Sequence, residues 1–491
     1  GELILVAFGE RNLYLSYNPK ITFFKKIYKK HSNFAIESIP QYLKVTPNFG
    51  KKVTVNISKN ADLLSKIYLY VELPSLTLSN HTSLPSGIKK IKWVDKIGLA
   101  LISKIELEIG GIIIDELTGD WLNISYESTL SNEQLNAYNK MIGNIDDLKT
   151  FSNGKDKYIL HIPLNFWFCQ YYGLSLPIIA LTHHDIKVHI HFNKFNKCIK
   201  ESPTHYFTIN SNICLFEDDE RIIQTLNGIS YIGDFVYFDV TNSRVYYNKV
   251  LGDFQVPSTS NTLYNITGQT SGYTVIPKSN SFIISDEEYF YFGEPILEDA
   301  YLMVDYIYLD SGERWEFINK NHEYLIPKVR KLSELALYST NNTYKIPLRN
   351  PIKTIFWRAI LQSNKTVNDK FNYTSEPLTT NENDLIENHQ IIINSIKRIE
   401  INKWQHYSYI QNHQSHFSSP QKGIYSYSFC LNSNEYQPSG SLNFSKIDDS
   451  YLQVTLNSNV NYQNPVDILL YGIEYNIFSI IEGLGGLKYI L

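Results

Sequence analysis

Hydrophobic and polar residues alternate with a period of two along much of this chain. Residues 104–109 read Lys-Ile-Glu-Leu-Glu-Ile, so Ile105, Leu107 and Ile109 share one face and Glu106 and Glu108 the other. Gly110-Gly111 then supplies a turn and Ile112-Ile113-Ile114 resumes an extended run, a hairpin signature. Residues 186–192 repeat the pattern, with Ile186, Val188, Ile190 and Phe192 alternating with Lys187, His189 and His191. Further strand candidates lie at 52–57, 66–73, 301–309, 396–402, 424–431 and 451–456. Each buries one face and wets the other, as strands of packed antiparallel sheets do.

Helical patterns are few. Residues 131–142 open on Ser131, carry Glu133 early and stop before Gly143, which predicts a capped helix. Residues 311–319 predict a second short helix directly after a strand. Strand and helix do not alternate regularly, which argues against a parallel α/β fold. Residues 195–298, rich in Asn, Ser, Thr and Tyr, have strand-like runs of their own at 229–239 and 244–251. A structureless loop of that length is uncommon inside a domain, so a folded insertion is expected.

Composition supports the all-β reading. There are 37 Tyr and 25 Phe in 491 residues and only 19% charged residues. At this length two or three domains are expected. Lys plus Arg (45) nearly balances Asp plus Glu (49), so no bulk phosphate-neutralising surface exists and direct nucleic-acid binding is not expected. Four cysteines, Cys169, Cys198, Cys214 and Cys430, make no disulfide framework and read as reduced apolar residues of a cytosolic assembly site. The run Leu3–Phe8 is too short for a signal sequence, and no stretch approaches the ~18 apolar residues of a membrane span.

Several ordered blocks carry a family resemblance. The first is Leu13-Tyr14-Leu15-Ser16-Tyr17-Asn18-Pro19-Lys20-Ile21-Thr22-Phe23-Phe24-Lys25, continued by His31 to Ser38. Ile162 to Phe168 with Gly173 to Leu181 follow, then Val304 to Asp310 with Glu313-Arg314, His322-Glu323-Tyr324-Leu325-Ile326, and Gln437 to Asp448. The Gly-rich ending Gly483-Leu484-Gly485-Gly486-Leu487 completes the set. Together these span nearly the whole chain, which closely resembles major capsid proteins of the nucleocytoplasmic large DNA viruses.

The resemblance implies two consecutive eight-stranded jelly-roll β-sandwiches, a double jelly roll with few short helices. It divides the chain into an N-terminal arm (1–24) on the inner capsid face, a first jelly roll (25–318) carrying the insertion at 195–298, and a second jelly roll (319–491). The insertion departs from short family members by its length, and the resemblance puts it on the outer, tower side. The implied function is structural: homotrimers forming pseudo-hexagonal capsomers that tile an icosahedral shell. Implied partners are neighbouring capsomers, minor capsid and penton proteins and an internal viral membrane surface. The expected location is the virion shell, assembled in the host cytoplasm. No enzymatic activity, cofactor or metal is implied.

Two features follow for such a shell protein. A pair of sandwiches in one chain needs an apolar joint, and the 310–325 stretch with Trp315 and Phe317 is a candidate for it. Lys20, Lys25, Lys26, Lys29 and Lys30 cluster among Phe23, Phe24, Ile27 and Tyr28. They read either as a solvated basic face beside core aromatics, or as an inner-face contact to minor capsid protein or anionic headgroups.

Chemical motifs are weak. His322-Glu323 lacks the second His four residues on that a zinc-protease helix requires. His183, His184, His189 and His191 read as polar-face strand histidines rather than metal ligands. Glu217 to Glu220 and Asp286 to Glu288 do not follow calcium-loop spacing and read as solvated loop carboxylates. Gly483-x-Gly485-Gly486 leaves no room for the helix of a nucleotide site. Two other classes stay open. A β-sandwich carbohydrate-binding protein would stack sugars on Trp93, Trp121 or Trp404. A glycoside hydrolase would need facing carboxylates roughly 5–10 Å apart.

Overall fold

A computed structural model describes residues 9–10, 16–77, 89–257, 262–278, 282–283, 295–374, 384–398, 403–415, 418, 420, 423–457 and 460–489. The Leu3–Phe8 run, Leu13 to Leu15, Asp286 to Glu288 and residues 399–402 of one strand candidate lie outside these.

The alternating segments pair as antiparallel sheets. Phe34–Tyr42, Asp299–Leu309, Leu63–Leu73 and Tyr158–Pro163 hydrogen-bond in that order, as do Lys52–Ile57, Ile186–Phe192, Ile102–Ile109 and Ile112–Leu117. Their apolar faces meet: Val53, Val55, Ile105, Leu107, Val188 and Ile190 pack with Ile67, Leu69, Val71, Leu302 and Val304, all buried. Gly110 and Gly111 both take positive φ (61° and 85°), which fits a two-residue turn with the twist a hairpin needs.

A second pair of sheets follows. One runs His322–Lys331, Val466–Ile481, Pro351–Leu361, Ile424–Ser428; the other Asn341–Lys345, Ser450–Leu456, Ile386–Ile393, Ile396–Lys397. Trp357, Tyr407, Tyr425, Leu452 and Leu470 lie in the core between them. The architecture is thus a double jelly roll. Between strands Ile186–Phe192 and Asp299–Leu309 of the first sandwich, residues 205–283 contribute a separate seven-stranded sheet with its own core around Phe207, Ile222, Phe235 and Tyr247.

The joint is made differently from the expectation. Helix Ser311–Asn319 buries none of its residues and Trp315 is 64% exposed. Trp121 and Trp167 of the first sandwich instead enter the second, Trp121 against Phe356 (5.9 Å between ring centroids) and Tyr471 (5.3 Å), Trp167 against Phe478 (5.3 Å). The reason is topological: helix Ser311–Asn319 projects between consecutive strands, whereas helix Gly119–Thr129 lies against the second sandwich. Thr118 caps it, its Oγ1 accepting from the Trp121 backbone N–H at 3.2 Å. One hydrophobic cluster therefore runs through both sandwiches, joining Ile105 and Leu122 to Phe356, Leu469 and Ile480.

Candidate functional site

Among the described residues, several of the histidines and carboxylates that the sequence singled out are engaged in structural contacts. His189 and His191 do share the polar face of strand Ile186–Phe192, but each reaches diagonally to a carboxylate. His189 Nε2 lies 2.8 Å from Glu108 and His191 Nε2 3.0 Å from Glu106. Lys187 Nζ donates to Glu108 at 2.9 Å and Lys104 to Glu106. Cross-strand pairs of opposite charge on a half-buried sheet face stabilise it. The hydrogen bonds from Lys187 and His189 hold the Glu108 carboxyl below its usual range. Burial alone would raise Glu106, but the bonds from Lys104 and His191 more than offset it and the net direction is down. These carboxylates are committed to the ladder. His184 is occupied elsewhere: its Nδ1 accepts from the Gly485 backbone N–H at 3.1 Å.

Glu220 is not the solvated loop carboxylate expected. It is buried, and it accepts from the backbone N–H groups of Thr270 (3.1 Å) and Ser271 (2.9 Å) and from Ser271 Oγ (2.8 Å), tying two insertion loops together. His322 stands at the head of a strand, not on a helix, with Nε2 2.8 Å from the Phe317 carbonyl. Of the rings the carbohydrate reading named, Trp93 and Trp121 are buried, and Trp404 is half-buried against Tyr409 (5.2 Å) beside the second core.

The Gly-rich ending has a mechanical role. Glu482 and Gly483 (φ 50° and 83°) turn the chain between Ile481 and Leu484, and the hairpin so formed touches the first sandwich. His183 N–H donates to the Gly483 carbonyl at 3.2 Å, and a Cβ on Gly483 would come within 2.1 Å of Thr182 Oγ1. Ion pairs of a buried arginine complete the joint. Arg358 of the second sandwich reaches Asp120 of the first, and Glu334 at 2.9 Å.

Lys20, Lys25, Lys26, Lys29 and Lys30 are all exposed, and none forms an ion pair with a described carboxylate. Their aromatic neighbours are not core residues: Phe23 and Phe24 are essentially fully exposed (101% and 98%), as are Ile27 and Tyr28 in large part. This exposed stretch continues past residue 24 to Asn33, because the first strand starts only at Phe34. Beyond it, Tyr42, Tyr301, Tyr70 and His161 stand in register across four strands on the outer sheet face. Their ring centroids are 5.6, 4.3 and 5.3 Å apart.

The double jelly roll is the architecture of a capsid protein, and the comparisons with known proteins define that class. The family described as "Major capsid protein N-terminus" matches residues 22–239, and "Large eukaryotic DNA virus major capsid protein" matches residues 313–486. "Probable capsid protein 4" of Acanthamoeba polyphaga mimivirus is 35% identical over 511 residues, covering 100% of this chain and 99% of that protein. The major capsid protein of Phaeocystis pouchetii virus is 29% identical, with 100% and 99% covered. Among solved structures, the PBCV-1 virus capsid aligns with TM-score 0.63 and 22% identity over 96% of this chain and 100% of that one. The Faustovirus major capsid protein aligns with TM-score 0.68 and 12% identity over 98% and 96%. The chain belongs to the major capsid protein family of large eukaryotic DNA viruses. It is a structural component of the virion that assembles with other capsid components.

Proposed function

We propose that three copies of this chain associate into a pseudo-hexagonal capsomer and that such capsomers tile an icosahedral shell. The observation that carries this is the single cluster locking both sandwiches into one body. Two similar blocks held rigidly side by side give six in a closed ring of three, and a cyclic interface leaves no open end. The aromatic row Tyr42–Tyr301–Tyr70 and the exposed edge strand Phe34–Tyr42 suit subunit contacts, where aromatics supply area and a polar tip. In this reading 34–318 and 319–491 are the two jelly rolls, the sheet at 205–283 decorates the outer side, and the role is structural with no catalytic step. Light scattering on the purified chain, with negative-stain images of the same peak, tests it. A trimer of 56.9 kDa chains seen as hexagonal particles is expected; a monomer at micromolar concentration would refute it.

The arm carries the inner-face contact in the same reading. Its five lysines and exposed rings fit a minor capsid protein or the anionic headgroups of an internal membrane, in a shell assembled in the host cytoplasm. Charge reversal of Lys25, Lys26, Lys29 and Lys30 to Glu is expected to leave trimers intact and to block shell assembly. Normal assembly of that variant would sink the assignment.

A further inference from the structure

A groove of about 660 Å³ runs between the two sandwiches, walled by helices Gly119–Thr129 and Asn132–Met141 on one side and the sheet of Pro351–Leu361 on the other. Its lining is uneven in chemistry. Lys66 and Lys353 are the only charged groups among the described residues that line it, and no carboxylate does. Trp121, Ser128 and Tyr138 also line it and are buried, yet Trp121 Nε1, Ser128 Oγ and Tyr138 OH have no hydrogen-bond partner among the described residues.

Lys353 is the most telling of these. It is 5% exposed, and its ammonium, which has three donors, donates to the Glu435 carbonyl at 2.7 Å and forms no ion pair with a described carboxylate. Lys96 and Arg358 are paired, with Glu127 at 2.7 Å and with Asp120, whereas Lys155, buried like Lys353, also donates to a backbone carbonyl, that of Asp147, but lies outside the groove. Water satisfies stray hydroxyls in a space of this size; it does not neutralise a buried ammonium, which is costly to leave alone. Burial pushes the Lys353 ammonium below the usual lysine range, and the nearby Glu435 carboxylate only partly opposes it; an anion bound against the ammonium reverses the tendency. The rest of the wall is apolar and aromatic, with Trp121, Phe356 and Ile473 along it.

We propose that this groove binds a small anionic amphiphile, a carboxylate or phosphate head on Lys353 and an apolar chain laid along Trp121, Phe356 and Ile473. The volume is that of an ordinary small-molecule site, and a few placed polar groups in an apolar wall are what such sites use for orientation. Charge-assisted hydrogen bonds from the ammonium, joined by the unspent donors of Trp121 and Tyr138, hold the head. Bound there, the molecule bridges the two halves of the joint.

The test is calorimetric titration of the purified full chain with laurate, lauryl phosphate, dodecanol and inorganic phosphate. Saturable binding of either amphiphile at one site per chain is expected, about tenfold or more tighter than dodecanol and than phosphate alone. The stronger head group identifies the source class, and either order upholds the site. Lys353→Met is expected to remove the preference over dodecanol. Ala137→Trp, at an exposed position on the groove wall, is expected to block binding while leaving the melting curve unchanged. No saturable binding, equal affinity for dodecanol and laurate, or unaltered binding in both variants would overturn the proposal.

Discussion

At the scale of single residues, the joint between the sandwiches contains groups whose ionisation is unusual. Asp115 is buried on strand Ile112–Leu117, with its Oδ1 accepting from the Glu116 backbone N–H at 2.9 Å. Burial pushes its carboxyl up to about 7. The folded protein therefore holds a proton that the unfolded chain, with an aspartate near pH 3.9, gives up. The folded state binds more protons between those values, so stability falls as pH rises from about 4 to 7. Asp115→Asn removes that dependence and keeps the acceptor. The variant is expected to match the wild type near pH 4 and to gain stability progressively, up to about 4 kcal/mol at pH 8. Denaturation midpoints across that range check it, and a difference that stays constant with pH would refute the assignment. Nothing in the local pattern marks this residue. Asp115 stands in an apolar run like any strand-end carboxylate, and only the tertiary burial distinguishes it.

At the scale of elements, legibility tracked how many faces each element buries. The hairpin at Gly110-Gly111 and the strand at 186–192 could be read because one face is wetter and the period of two survives; the runs 229–239 and 244–251 were legible from their β-branched and aromatic content rather than from a period. Strand Pro351–Leu361 has no such period. Ile355, Trp357 and Ala359 point into the second core, while Phe356 and Ile360 point into the cluster shared with the first sandwich. A strand buried on both faces reads as a continuous apolar run. Helix Gly119–Thr129 was missed for a related reason: Trp121, Leu122 and Ile124 serve the joint and both sides of the first core rather than one stripe. The one local signal was Thr118 followed by Gly-Asp-Trp, a cap and an acidic first turn. That helix also has no slack. A Cβ on Gly119 would lie 2.2 Å from the Leu99 carbonyl oxygen and 3.0 Å from that of Ile102, both backbone atoms that cannot swing aside. Gly119→Ala is thus expected to destabilise the fold by about 1–3 kcal/mol, although alanine is the better helix former. A thermal melt equal to the wild type would show that the helix can shift.

At the scale of the whole molecule, the question is whether two jelly rolls behave as two domains or as one. Each sandwich is closed by its own pair of sheets, yet the cluster between them is continuous. Trp121 and Trp167 supply its aromatic contacts, Arg358 reaches Asp120 across it, and the terminal hairpin at Gly483 grips the first sandwich from the second. An interface that is large and apolar suppresses independent motion and couples unfolding. The full chain is therefore expected to melt in one cooperative calorimetric transition, despite being long enough for several. Trp121→Ala removes the ring wedged between Phe356 and Tyr471 and costs about 3–5 kcal/mol. Since that loss falls on the joint rather than on either sandwich core, the single endotherm is expected to split in two. The second sandwich would then unfold apart from the first. A variant that melts lower but still in one transition would show that the Arg358–Asp120 pair and the Gly483 hairpin hold the halves together without Trp121.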